Sequence, residues 1–160
     1  MFDTSPDGFL RLIKEGETEN VEFKLRLPPD DIIAKVLSSF ANTDGGILII
    51  GLKDNGELVG LTDNEIREST IRIEKISSSL LPIPIEYGTV DIHGKKLVYF
   101  IINKVPEYQL PITTSKGEIF QRLGIRTVPT RASKLMETLK GVETIKAGPN
   151  KIAFIAMSFK

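Results

Sequence analysis

The feature that most constrains the fold is an almost unbroken apolar run at residues 47–52 (ILIIGL), directly after the glycine pair Gly45-Gly46. A strand with one solvent-facing side alternates apolar and polar residues, whereas a strand buried on both faces reads as a continuous apolar run. The run therefore predicts a central strand that is covered on both faces. A turn follows at residues 54–57 (DNGE).

Helix and strand patterns surround this run. Ser5 ahead of Pro6 has the chemistry of a helix start, and Gly16 ends the apolar periodicity that follows. Thr62 and Glu65 form a capping box, a second start signal. Further helices are predicted from residue 30 to near residue 42 and over residues 133–139, and strands at residues 21–24, 85–92, 96–103 and 118–123, with a hairpin turn at His93-Gly94.

Composition restricts the possible chemistry. The chain of 160 residues has no cysteine, which excludes disulfides, thiolate zinc sites and cysteine nucleophiles. The N-terminus lacks the basic and apolar regions of a secretory signal, and no apolar run approaches the roughly 20 residues that span a bilayer. These features predict a cytoplasmic protein that makes no use of a membrane.

Charge is balanced overall but unevenly distributed along the chain. The formal net charge is zero. Residues 1–60 contain six Lys/Arg against eleven Asp/Glu, a local charge of −5, and residues 116–140 contain six against two, a local charge of +4. Such an arrangement suits a carboxylate site beside a surface that attracts phosphate. The alternative is a chance asymmetry on a solvated surface.

The first candidate constellation is acidic. Glu22 and Lys24 project from the same face of a predicted strand, Glu17 lies just upstream, and Asp54 follows the central strand. If the two strands are neighbours, Glu17, Glu22 and Asp54 would hold Mg²⁺ or Mn²⁺ and Lys24 would stabilise developing charge, as cleavage of a phosphodiester requires. The alternative is a solvated Glu22–Lys24 pair on an edge strand.

The second constellation is the segment Asn42-Thr43-Asp44-Gly45-Gly46, between a predicted helix and the central strand. Two glycines allow close backbone approach, so Asn42, Gly45 and Gly46 would form an anion-binding nest for phosphate. The alternative is a helix C-cap with a tight turn into the strand. Neither G-x-x-x-x-G-K-[ST] nor G-x-G-x-x-G occurs, which disfavours an ordinary P-loop ATPase or a dinucleotide-binding fold.

The third constellation is basic. Arg122 ends a predicted strand, Arg126 follows in a glycine-containing loop, and Arg131 comes next. Arginines in such positions suit bidentate contacts to phosphate. The alternative is a set of salt bridges to the acidic N-terminal half.

Together these segments resemble the Schlafen AlbA domain family. The matching stretches are residues 17–24 (ETENVEFK), 39–52 (SFANTDGGILIIGL), 54–60 (DNGELVG) and 120–132 (FQRLGIRTVPTRA), within a resemblance that covers roughly residues 8–135. The combination of E-F-K, F-A-N-T-x-G-G and R-x-G is specific, although each piece alone is not. The resemblance implies an α+β fold, a single domain in which helices pack on a mixed central sheet.

The resemblance also implies a function. Members of the family are commonly described as DNA-binding or nucleic-acid-binding modules at the front of longer regulatory or defence proteins. Some animal relatives are endoribonucleases that cut transfer RNA, and their three acidic catalytic positions look like Glu17, Glu22 and Asp54 here, with Asp44 as a competitor for the third. Their nuclease core has two such lobes, so a homodimer of this chain would supply the second lobe.

The end of the chain has a different character. Residues 148–150 (GPN) look like a linker, and residues 152–157 (IAFIAM) have the pattern of a buried strand. We expect an AlbA-like domain at residues 1–147, then a linker and the first strand of a truncated downstream domain at residues 148–160. Pairing of that strand back onto the sheet is the alternative.

Three hypotheses follow from the sequence. The leading one is a nucleic-acid-binding module of a multidomain regulatory or defence protein, with the glycine and arginine segments at the phosphates. The second is a metal-dependent endoribonuclease that acts on structured RNA such as transfer RNA. The third is a non-catalytic lobe that contacts other proteins.

Overall fold

The structure, a computed structural model, describes residues 2–79 and 83–138, which contain a mixed sheet, flanking helices and a separate hairpin. The central sheet has the strand order β1-β2-β4-β3, and β5 and β6 form a two-stranded sheet of their own. This is the expected α+β fold. The elements are α1 (Pro6–Glu15), β1 (Val21–Lys24), α2 (Asp30–Ala41), β2 (Gly46–Ile50), α3 (Asp63–Ser79), β3 (Glu86–Ile92), β4 (Lys95–Ile102), a 3₁₀ turn (Glu107–Gln109), β5 (Ile119–Leu123) and β6 (Arg126–Thr130).

The central sheet mixes parallel and antiparallel pairs. β1 and β2 are parallel, with Val21 opposite Ile47 and Lys24 opposite Ile50. A parallel pair needs a long crossover, and α2 lies in the connection between these two strands. β4 pairs antiparallel with β2 on one side and with β3 on the other. β2 therefore lies inside the sheet, as the apolar run predicted.

The two faces of β2 are buried in two separate clusters. Successive side chains of a strand point to opposite faces. Leu48 and Ile50 pack in the cluster that contains α2 and α3, whereas Ile47 and Ile49 pack with Phe9 of α1. Every residue of β2 is buried. The sheet therefore has helices on both faces, and its central strand is fixed in register from both sides.

Local signals fix the ends of the elements. Ser5 Oγ accepts a 3.1 Å hydrogen bond from the Gly8 N–H at the start of α1, and Gly16 ends the helix with φ 85°. His93 and Gly94 have φ 53° and 79°, the two positive values of a type I′ turn, and they join β3 to β4. These boundaries confirm the predicted helix start and hairpin turn.

Strand β6 differs from the prediction, which placed a loop around Arg126. The strand is short and contains Pro129, which has no N–H to donate to a ladder and so lowers the strand signal. It forms because Gly124 and Ile125 make a two-residue turn that returns the chain beside β5. Such a short connection joins antiparallel strands only, so β5 and β6 form a hairpin.

The chain divides into two compact units, Met1–Pro129 and Thr130–Lys160. In the second unit, residues 132–138 are helical, which agrees with the helix predicted over residues 133–139 as far as residue 138. The predicted linker and strand at residues 148–160 lie outside the described residues. Within the described ranges, no helix has the length and apolar character needed to cross a membrane.

Candidate functional site

The acidic residues lie around the edge of the sheet at which β1 and β2 end. Because these strands are parallel, their carboxyl ends meet at the same edge. Lys24 is the last residue of β1, and Asp54 is exposed in the turn that follows β2. Glu17 folds back onto β1, where its Oε1 accepts a 2.8 Å hydrogen bond from the Phe23 backbone N–H.

Glu22 bridges two cations. Its Oε1 lies 2.7 Å from Arg122 Nη1, and its Oε2 lies 3.2 Å from Lys24 Nζ. The Glu22 side chain is only 12% exposed, so both of its oxygens are paired in a largely dry environment. A carboxylate held in this way is well ordered, and any additional cation would have to compete with the two already present.

Burial and two neighbouring carboxylates change the pKa of Glu17. Burial raises the pKa of Glu17 above its ordinary value, and the negative charges of Glu22 and Asp54 raise it further. The Phe23 N–H and the Lys24 ammonium oppose this rise. A carboxyl group with a raised pKa inside a cluster of charges is a candidate for function.

The donor set determines which kind of metal site these residues fit. No three Asp, Glu or His side chains in the described part of the chain form a group that could hold a metal ion. Both oxygens of Glu22 are paired with cations, whereas Glu17 Oε2 and the Asp54 carboxylate have no hydrogen-bond partner among the described residues. Mg²⁺ keeps several waters and is commonly held by one or two carboxylates and substrate phosphates. Glu17 and Asp54 fit that kind of site, and a closed cage that includes Glu22 does not fit.

Arg122 is internal, although the sequence suggested a phosphate contact. Its side chain has no exposed surface. Nε donates to the Glu19 carbonyl at 3.1 Å, and Nη2 donates to the Thr18 carbonyl at 2.8 Å. Nη1 donates to Glu22 at 2.7 Å and to Thr127 Oγ1 at 3.2 Å. Four bonds engage all three nitrogens of a group with five N–H donors, so Arg122 stabilises the protein in this conformation and presents no fork to a ligand.

The segment from Asn42 to Gly46 is also structural in its contacts. Asn42 is fully buried; its amide accepts from the Ile112 N–H at 2.7 Å and donates to the Ile112 and Phe120 carbonyls at 2.9 Å each. The Gly45 N–H bonds the Phe40 carbonyl at 2.8 Å, with φ 77° at Gly45. A Cβ at Gly46 would collide with the Phe40 ring. The Gly45 bond is a contact of the helix C-cap that the sequence left open as the alternative to a phosphate nest, and the Asn42 amide joins the end of α2 to residues 112 and 120.

Several residues that complete this network were not among the candidate ligand-binding residues of the sequence. The Arg122 guanidinium lies over the Phe40 ring, 4.9 Å from its centroid. Thr43 Oγ1 accepts from the Arg122 backbone N–H at 2.9 Å, and Ser39 Oγ lies 3.2 Å from Thr127 Oγ1. These contacts join the end of α2 to the β5–β6 hairpin. Their only trace in the sequence is that both segments belong to the stretches of family resemblance.

The other two arginines are placed differently from Arg122. Arg126 is exposed on β6 and takes part in no ion pair or side-chain hydrogen bond among the described residues. Arg131 is exposed in the second unit. Their roles at phosphate stay predictions.

Replacing Arg122 with Met should strongly destabilise the protein. The change keeps most of the side-chain volume but leaves Glu22 with one of its two cations, and breaking a buried pair costs about 3–5 kcal/mol. Urea unfolding measures the loss. The control is Arg126→Met, which removes an exposed charge and should change the free energy of unfolding by about 0.5 kcal/mol or less. Equal losses in the two variants would contradict the role given to Arg122.

Glu17→Gln should become more stable than the wild type as pH rises. The native state holds the Glu17 proton more tightly than the unfolded chain, in which the carboxyl has its ordinary pKa of 4.5. The contribution that favours folding is therefore complete below this value and is lost as pH rises through the raised native pKa. Unfolding free energies measured from about pH 4 to about pH 7 should diverge in this direction. The exposed Glu19→Gln serves as the control, and parallel curves for Glu17→Gln and the wild type would refute the prediction.

Comparisons with solved structures show a shared fold. The chain is similar to the DIP2311 protein from Corynebacterium diphtheriae, with a TM-score of 0.59 and 19% identity over 76% of this chain. It spans only 24% of the length of that protein. It is also similar to the N-terminal domain of a protein from Nitrosomonas europaea described as related to the ATP-dependent DNA helicase RecG, with a TM-score of 0.54 and 21% identity over 71% of this chain and 82% of that domain. No curated protein matches the chain.

The sequence pattern of a protein family matches most of the chain. The family is described as "Schlafen, AlbA_2", and the match covers residues 17–131. This range begins at Glu17 and includes Glu22 of β1, the helix cap at Asn42 and the Arg122 network. The chain therefore belongs to the Schlafen AlbA_2 family.

Proposed function

We propose that this domain binds nucleic acid through the exposed side of the β5–β6 hairpin. The observation that carries the proposal is the charge of this hairpin, whose residues 119–129 include Arg122 and Arg126 and no Asp or Glu. Within this segment Arg122 is paired internally, whereas Arg126 is exposed and unpaired among the described residues. Cations of this kind supply most of the sequence-independent affinity for a phosphate backbone.

The comparisons support the same reading. The chain belongs to the Schlafen AlbA_2 family, and one solved domain that shares its fold comes from the N-terminus of a protein described as related to a DNA helicase. A domain of this kind would position a nucleic acid for another activity. We accordingly propose that the chain acts within a longer regulatory or defence protein.

Arg126→Ala should weaken binding to nucleic acids of different sequence by similar factors and reduce the salt slope of log Kd by about one. Fluorescence anisotropy with labelled DNA and transfer RNA at several salt concentrations measures both effects.

The matched control is Lys116→Ala. Lys116 is also exposed and lies just before β5, but it lines a groove with Asp30, Asp31 and Glu118, whose charges repel phosphate. This variant should bind as the wild type does. Loss of binding in Lys116→Ala with none in Arg126→Ala would reject the proposed face.

A second candidate function is metal-dependent cleavage of structured RNA. The placement of Glu17, Glu22 and Asp54 favours it: burial raises the pKa of Glu17, and the nearby charges of Glu22 and Asp54 raise it further. Glu17 and Asp54 would hold the cation with its waters, and Lys24 would stabilise charge on the phosphate. Mg²⁺ or Mn²⁺ would supply the Lewis acid. Association of two chains would bring two such clusters together.

Asp54→Asn tests this candidate more cleanly than a change at Glu22. Asp54 is exposed and has no partner among the described residues, so its loss should leave the fold intact, whereas a change at Glu22 would leave Arg122 without its carboxylate. If the domain cuts transfer RNA, cleavage should need Mn²⁺, stop in EDTA and fall at least about a hundredfold in Asp54→Asn. Cleavage that persists in EDTA would exclude the metal-dependent reaction.

A further inference from the structure

The tip of the β5–β6 hairpin carries exposed apolar side chains next to an exposed arginine. Leu123, at the end of β5, is 49% exposed, and Ile125, in the turn, is 56% exposed. They account for two of the six exposed large apolar side chains in the described part of the chain, and they flank a single glycine. Arg126 follows at once. No other turn in the described ranges pairs two such residues.

Ile125 does not fit the usual residue preferences of a turn, and it adds no packing contact to the core. Turn positions favour Gly, Asn, Asp, Ser and Pro, and a β-branched residue there has neither turn chemistry nor burial in its favour. Gly124 supplies the positive φ of 60° that the first position of a type II′ turn requires. Leu123 and Ile125 belong to neither buried cluster. Where a residue violates local preference and stabilises nothing, a functional role is the expected reason.

The base of the hairpin is held firmly while its tip is open. The Arg122 guanidinium, next to Leu123 in the chain, is completely buried. Asn42 bonds the Phe120 carbonyl, and Thr43 bonds the Arg122 backbone N–H. At Gly124, by contrast, an added Cβ would meet no atom within 4 Å. The exposed side chains are therefore carried on a rigid support.

On the basis of the proposed function, we infer that this tip is a wedge that enters duplex DNA and unstacks a base step. Proteins that bend DNA insert Leu, Ile or similar side chains between base pairs and use adjacent arginines in the minor groove and at the phosphates. The tip has both components. Residues 119–129 contain no acidic residue, so nothing in the hairpin repels the phosphates on either side of the wedge.

The test uses the double variant Leu123→Thr/Ile125→Thr, which removes the apolar wedge and retains strand-compatible side chains. The probes are short DNA duplexes that carry 2-aminopurine at successive positions, together with end-labelled duplexes that report bending by energy transfer. The wild type should raise 2-aminopurine fluorescence and shorten the end-to-end distance. The double variant should lose both signals and bind about tenfold more weakly with an unchanged salt slope.

Two further variants make the result specific. Ile71→Thr removes another exposed apolar side chain, 61% exposed on α3, and should behave as the wild type. Arg126→Ala should bind more weakly with a lower salt slope but still unstack bases at saturation. Thermal unfolding of the double variant should match the wild type, because neither side chain is in the core.

The outcomes separate the wedge from the broader proposal. If the double variant unstacks and bends DNA as the wild type does, while Arg126→Ala binds more weakly, the wedge is overturned and nucleic-acid binding stands. If the wild type binds transfer RNA but no duplex DNA, the wedge is also overturned. If the wild type binds neither nucleic acid, both proposals fail.

Discussion

The buried guanidinium of Arg122 joins the β5–β6 hairpin to the central sheet. Arg122 is the point at which β5, the loop before β1 and the end of α2 meet, since its donors reach the Thr18 and Glu19 carbonyls and its plane lies over Phe40. A charge in such a place is tolerated only when it is paired and hydrogen-bonded, and Glu22 provides the counter-charge. An isolated two-stranded hairpin is marginal in water, so these contacts also give β5 and β6 their place.

This arrangement couples the acidic edge of the sheet to the basic hairpin. One oxygen of Glu22 is paired with Arg122 and the other with Lys24, and the charges of Glu22 and Asp54 repel the Glu17 carboxylate. The geometry of the carboxylates thus depends on a strand that is distant in sequence. The E-F-K, F-A-N-T-x-G-G and R-x-G segments, which look like separate functional motifs, have interlocking structural roles. Asp54 and Arg126 are exposed and lie outside this network, so they remain available for chemistry or binding.

Sequence patterns were sufficient for most of the fold and for only part of the site. The buried strand at residues 46–50, the capped start of α1 and the turn at His93-Gly94 follow from local chemistry, so each was predictable. Strand β6 was not predictable, because Pro129 weakens its strand pattern and the strand forms only by pairing with β5. The residue types at Arg122 and Asn42 suggested ligand contacts. The tertiary structure instead places backbone carbonyls where they accept hydrogen bonds from both side chains. A sequence shows which donors exist, whereas their partners lie up to 104 residues away.

The separation of Arg122 from its partners has a consequence for the order of events during synthesis. Arg122 is 100 to 104 residues from Glu22, Glu19 and Thr18, so the acidic edge acquires its final electrostatics only after β5 has left the ribosome. Contacts of such long range form late and slow folding, because the intervening chain must first be ordered. A nascent chain that ends before β5 would display Glu17, Glu22 and Lys24 without the cation that orders them. The acidic edge is therefore completed only on a chain that already carries the β5–β6 hairpin.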